Sequence, residues 1–252
     1  MMKRRSFATA FVTVCALLVP LAVQAQPISG DGFLFQRPTG SLTLHGGYSK
    51  PSASSDAFDL AQQKLTIGKD AFSSVAVSLD YNLWVADRFS IEFGAGYSGR
   101  KVPSEYRAFI DNNDKPIQQS TELMRAPFSI GARYYLTSPG RAIGRFAYIP
   151  SRISPYVSAG GGAMWYRFKQ TGDFIDVKSK NLDVFNGELV STGWGPEAYG
   201  AAGFDLTLHP NVALTTEARY EYARGNMSRD YAGLNRIDLS GLTATVGLTF
   251  RY

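Results

Sequence analysis

The sequence predicts an all-β fold: an eight-stranded antiparallel up-and-down β-barrel that crosses a membrane. Three observations carry this expectation. Apolar and non-apolar residues alternate with period 2 in eight separate stretches. These stretches exceed the soluble-protein norm of about 5–6 residues and meet the requirement of about 9–11 residues for a tilted strand to span a bilayer. The links between them tend to alternate between long and short, as expected when one end of a barrel carries loops and the other carries turns. Beyond the first 25 residues no stretch shows sustained helical spacing, and none is apolar enough for a spanning helix.

The first element is a targeting segment. Lys3, Arg4 and Arg5 give a positive start, Phe7 to Val19 is apolar, Pro20 breaks the run, and Val23-Gln24-Ala25 offers a small-residue cleavage site before Gln26. This is the layout of a secretory signal peptide, residues 1–25, with an apolar run too short for a spanning helix of about 20 residues. Cys15 lies inside the apolar run and not at a cleavage junction, which argues against a lipid anchor. Removal of the segment takes three of the 26 Lys and Arg and none of the 21 Asp and Glu, so the net charge falls from +5 to +2. A nucleic-acid partner is therefore not implied. The only cysteine leaves as well, excluding a disulfide or a thiol site in the mature chain.

A short polar segment, residues 26–38, precedes the barrel, 39–252. The first strand is expected over Thr39 to Ser49, with Leu42, Leu44 and Tyr48 on one face; the second over Ala71 to Val85, with Val75, Val77, Leu79, Tyr81 and Leu83. The third runs from Arg88 to Arg100 (Phe89, Ile91, Phe93, Tyr97) and the fourth from Thr121 to Leu136 (Met124, Phe128, Ile130, Tyr134). The fifth covers Ile153 to Lys169 (Val157, Ala163, Trp165) and the sixth Gly193 to Leu208 (Ala198, Ala202, Phe204, Leu206). The seventh covers Asn211 to Arg224 (Val212, Leu214, Ala218, Tyr220, Tyr222), and the eighth Asp238 to Tyr252. Long links are Lys50 to Asp70, Lys101 to Ser120, Gln170 to Thr192 and Gly225 to Ile237; tight ones are Ala86-Asp87 and His209-Pro210. Asn186-Gly187 suggests a hairpin turn within the third long link. Thr137 to Arg152, long and basic, breaks the pattern on the side expected to hold only turns.

Alternation alone does not say which face is wet, since a soluble lipocalin-like barrel alternates too. Here the non-apolar face is small and polar (Ser41, Thr43, Ser78, Ser90, Gly94, Ser129, Thr215, Thr249), which suits a crowded lumen better than a solvated surface. Aromatic residues gather near strand ends: Tyr48, Phe72, Tyr97, Trp165, Trp194 and Tyr222 on the loop side, and Phe89, Tyr134, Phe204, Phe250 and Tyr252 on the turn side. That distribution fits interfacial girdles. The final stretch alternates strictly through Val246, Leu248, Phe250 and Tyr252.

This ending resembles the C-terminal strand that the barrel-assembly machinery reads in outer-membrane barrels. With strand number and loop asymmetry, residues 39–252 resemble the superfamily of small bacterial outer-membrane β-barrels that includes the transmembrane domain of outer-membrane protein A and its short relatives. The resemblance implies a place in the Gram-negative outer membrane, with extracellular loops and periplasmic termini. Its implied partners are outer-membrane lipids and lipopolysaccharide, the assembly machinery and periplasmic chaperones during biogenesis, and an extracellular ligand of the loops.

By parity the lumen face carries Asp80, Glu92, Arg125, Arg133, Glu197, Asp205, Glu217, Arg219, Glu221 and Arg251. Isolated charges there are costly, so an ion-pair network that plugs the barrel is expected, with Arg133 meeting Glu92 or Asp80. An eight-stranded barrel has room for little beyond its own side chains. A gate or narrow ion path is the functional alternative. Chemistry has little to work with: His45 faces the lumen and His209 a turn, far from any shared site, and neither metal spacing nor a nucleophile–base signature is present. Gly160-Gly161-Gly162 fits close packing in a strand better than a phosphate loop. The expected function is a non-enzymatic integral outer-membrane protein with a plugged lumen, serving envelope integrity, surface contact or adhesion, without cofactor. A small-solute pore is the alternative, and a lipid-modifying enzyme the second.

Overall fold

The computed structural model describes residues 32–110, 116–144, 146–175 and 184–252. The signal-peptide expectation lies outside these residues. In chain order the strands are β1 (Gly40–Pro51), β2 (Ser74–Ala86), β3 (Phe89–Ile110), β4 (Pro116–Tyr135), β5 (Gly140–Ile143), β6 (Ala147–Pro150), β7 (Ile153–Ile175), β8 (Val184–His209), β9 (Val212–Gly225), β10 (Ile237–Asp238) and β11 (Gly241–Arg251). Eight of them form a ring, β1-β2-β3-β4-β7-β8-β9-β11, closed by antiparallel pairing of β11 with β1. Closure leaves no open edge at the level of the ring, the condition for crossing hydrocarbon without water.

The alternation places apolar side chains outside. Thr43 is fully buried and its neighbour Leu44 is 61% exposed; Val75, Ile130, Val246 and Phe250 are exposed likewise, whereas Ser90, Glu92 and Thr215 are sealed inside. Water would penalise this surface; acyl chains would not. Trp165 and Trp194 stand opposite each other in register on the outer face. Tyr199 explains part of the glycine run. A Cβ on Gly160 would collide with its ring and one on Gly131 with its hydroxyl, so the two glycines leave room for a large inward side chain along the wall.

Several expectations are corrected. The long links after the third and fifth strands are largely strand: β3 and β4 pair up to Ile110↔Pro116, and β7 and β8 up to Ile175↔Val184. Four strands thus project as one sheet beyond the ring. Asn186-Gly187 is no turn. Asn186 pairs with Asp173 across the ladder and donates its amide to that carboxylate at 2.9 Å, and Phe174 and Phe185 stack beside it.

The first long link contains a helix, α1 (Asp56–Lys64), burying Ala57, Phe58 and Ala61. The acidic start and Lys64 end complement its dipole. Residues Lys69–Phe72 form a 3-10 turn, so β2 begins at Ser74 and not Ala71, and Phe72 points into the core and not into a girdle. The eighth barrel strand begins at Gly241, because Ile237–Asp238 pair separately with the end of β9. The basic link after the fourth strand forms the β5–β6 hairpin. Leu34 bridges to Tyr148 through two backbone hydrogen bonds of 2.8 Å, so the N-terminal lead and this hairpin close the turn-side mouth together.

Candidate functional site

The lumen is built in layers. At the turn end, Asp205 accepts hydrogen bonds from Tyr135 at 2.9 Å and Thr215 at 2.8 Å, with Arg251 at 3.8 Å. Trp84 stacks on Tyr135 at 4.9 Å. Below lies the N-terminal lead, where Arg37 pairs with Asp87 and donates to the Ala86 carbonyl at 2.6 Å.

The middle layer holds the ion pairs. Arg133 lies 2.6 Å from Glu92 and 3.4 Å from Glu217. Arg219 reaches Glu92 and Glu217 at 2.8 Å each and Asp80 at 3.5 Å. Tyr199 donates to Glu92 at 3.0 Å and Tyr156 to Glu217 at 2.9 Å. The same rings lie under the guanidinium groups, Tyr156 at 3.9 Å from Arg133 and Tyr199 at 4.4 Å from Arg219. His45 Nε2 is 3.0 Å from Asp80, with its other ring nitrogen 3.3 Å from Thr245. Two guanidinium groups thus meet three carboxylates that are almost fully buried, the arrangement in which buried charge is tolerable. The tyrosines were missed from sequence. Their signal was an inward parity beside Arg and Glu, which the alternation of apolar residues hides.

Three expected members stand apart. Arg125 has no carboxylate within 4 Å among the described residues; it donates to the Leu239 carbonyl at 2.7 Å and to Ser49 at 2.5 Å. Glu197 and Glu221 form no ion pair within 4 Å among the described residues, and both oxygens of Glu197 lack a hydrogen-bond partner there. A cavity of about 30 Å³ is bordered by Ser78, Gly94, Ser129, Glu221, Thr243 and Thr245.

The loop end is closed by an apolar plug. Phe58 of α1 packs edge-on against Phe72 at 5.2 Å and Phe168 at 5.4 Å, and Phe168 against Tyr231 at 5.5 Å. Leu123, Met164, Tyr166 and Leu239 complete it. The polar lumen expected throughout therefore becomes apolar at its upper end. No group of three or more His, Cys, Asp or Glu among the described residues is arranged to hold a metal.

An apolar exterior, a closed ring and a charged, filled interior define a transmembrane β-barrel. No family model and no curated protein matches the chain. Solved structures do. Outer membrane protein OprG from Pseudomonas aeruginosa is 16% identical, with 87% of this chain and 99% of that chain covered and a TM-score of 0.44. Neisserial surface protein A is 12% identical over 88% and 98%, with a TM-score of 0.40. Outer membrane protein W of E. coli is 15% identical over 86% and 100%, with a TM-score of 0.39. The fold class, an eight-stranded antiparallel up-and-down β-barrel, is defined by the chain's own ring of strands.

Proposed function

We propose that the chain is a non-enzymatic integral protein of the bacterial outer membrane whose barrel is a sealed anchor and whose projecting sheet and loops are its working surface. Export through residues 1–25, extracellular loops and periplasmic termini belong to this reading. The observation that carries it is the triple closure of the lumen: the aromatic plug around Phe58, the Arg133–Arg219 carboxylate layer, and the β5–β6 lid bridged to Leu34. A conducting path would have to breach all three. His45 supports the non-enzymatic part, because it is buried beneath the plug against Asp80 and Thr245, out of reach of an acyl chain. Planar-bilayer recording of the folded chain tests the reading. Silence is expected; steady, reproducible unit conductance overturns the anchor in favour of a small-solute pore. Acyl-chain analysis of vesicles incubated with the protein should show no change, and a His45-dependent change would make it an enzyme.

A further inference from the structure

The turn-side mouth of the barrel gathers donors that closure of the lumen does not use. Trp84 continues the inward parity of Asp80 and Asn82 at the end of β2, and Arg251 continues that of Thr249 at the end of β11. Arg37 arrives from the N-terminal lead, its guanidinium 5.8 Å from the Trp84 ring. Tyr148 comes from the β5–β6 lid. With Pro38 and Pro139, these four line a cavity of about 10 Å³, room for one atom the size of a water. Four segments far apart in sequence meet there.

Two of the donors are spare. Arg251 is 6% exposed, and its Nη1 donates to Thr207 at 3.0 Å. Its Nη2 has no hydrogen-bond partner among the described residues and lies 3.8 Å from Asp205, which already accepts from Tyr135 and Thr215. The buried Nε1 of Trp84 is unpartnered among the described residues as well. A buried donor without an acceptor is costly. Guanidinium and indole groups donate and never accept. A water among them would find, in the side chains lining the cavity, only the Tyr148 hydroxyl to receive its own protons. An anion only accepts, and charged donors bind it more strongly than neutral ones. Arg37 keeps Asp87 and the Ala86 carbonyl as partners, so it brings charge to the site. Its side chain, 35% exposed, gives the cavity a yielding wall for an ion wider than water.

We propose that this pocket binds one monatomic anion, chloride in ordinary media, which ties the N-terminal lead, β2, β11 and the β5–β6 lid together. The site belongs to the closed mouth and goes beyond the outer-membrane reading, since it does not depend on which membrane holds the barrel.

The full chain, labelled with nitrogen-15 and folded in detergent, gives three indole signals, from Trp84, Trp165 and Trp194, and Trp84→Phe identifies the first. Sodium chloride is titrated against sodium gluconate, whose anion is too large for the pocket, at constant ionic strength. The Trp84 indole proton should move downfield along a saturating curve while the other two stay in place. R251Q should weaken the apparent affinity about tenfold or more, the loss of a hydrogen bond to a charged group, and R37Q should weaken it less. R152Q, which removes an exposed arginine at the same end, should leave the curve unchanged. Exchange of the Tyr148 amide, which is bonded to Leu34, should be slower in chloride than in gluconate. A Trp84 signal indifferent to chloride leaves the donors to water and overturns the site. A drift shared by all three indoles overturns it too, as does a saturating shift of undiminished affinity in R251Q and R37Q. Equal Tyr148 exchange in the two salts overturns the tie to the lid. Should R251Q fail to show heat-modifiable migration, the unaltered chain and R37Q still decide.

Discussion

Arg133 shows what a charge must do to exist inside this barrel. Its guanidinium is shared between Glu92 and Glu217 and covered by the Tyr156 ring, so its charge, its donors and its flat face are each matched. Breaking a buried pair by removing one partner costs about 3–5 kcal/mol, because the other charge stays behind. Arg133→Gln should approach the lower end of that range, since Arg219 still reaches Glu92 and Glu217. Urea unfolding in phospholipid vesicles would measure it. The R133Q/E92Q double variant should lose less stability than the two single losses together, because the orphaned carboxylate is gone; strict additivity would show that the pair is not coupled. Arg125 behaves differently, being held by neutral oxygens of Leu239 and Ser49.

At the scale of elements, the barrel was legible and the plug was not. A period of 2 survives in any strand with one lipid-facing side, so all eight strands, the charged inner parity of Asp80 and Glu92, and the outward aromatics of the strands, though not Phe72 before β2, could be read directly. The upper strands defeat that reading. Leu123, Met164, Tyr166 and Phe168 occupy inward positions in the same strands as outward apolar residues, so the contrast vanishes where the core turns dry. Helix α1, nine residues long with Leu60 exposed, is too short to announce a helical period. Phe58 is its anchor, and Phe58→Ala should cost about 3–5 kcal/mol of local stability, seen as faster amide exchange across α1 with the ring strands unaffected. Tyr231 adds a pH dependence. Burial first, then the Asp230 carboxylate, raise its phenol above the ordinary range. A raised phenol favours the neutral form in the folded plug, so its contribution is complete below about pH 10 and is lost as pH climbs through the folded value. Exchange in α1 should therefore accelerate in strong alkali, and Tyr231→Phe should flatten that dependence; an unchanged profile would remove Tyr231 from the plug's energetics.

The molecule as a whole inverts the soluble pattern, with charge within and hydrocarbon without, and that inversion makes a prediction no local contact makes. Val246 lies halfway along β11 and faces outward, 52% exposed, whereas Leu242 faces outward near the loop end of the same strand. Wrapped by a bilayer, these positions differ in depth and not in packing. An arginine at the midplane of a barrel's lipid face costs about 2–4 kcal/mol, falling to about 0–1 kcal/mol near the interface. Val246→Arg should therefore destabilise the chain in vesicles far more than Leu242→Arg does. A soluble barrel would accept both almost equally, since an outward arginine would enter water in either place. Reversible folding into phosphatidylcholine vesicles, followed by tryptophan emission, separates the two cases. A depth-dependent penalty follows only if acyl chains surround β11, because nothing in the closed ring itself distinguishes one outward rung from another four residues away.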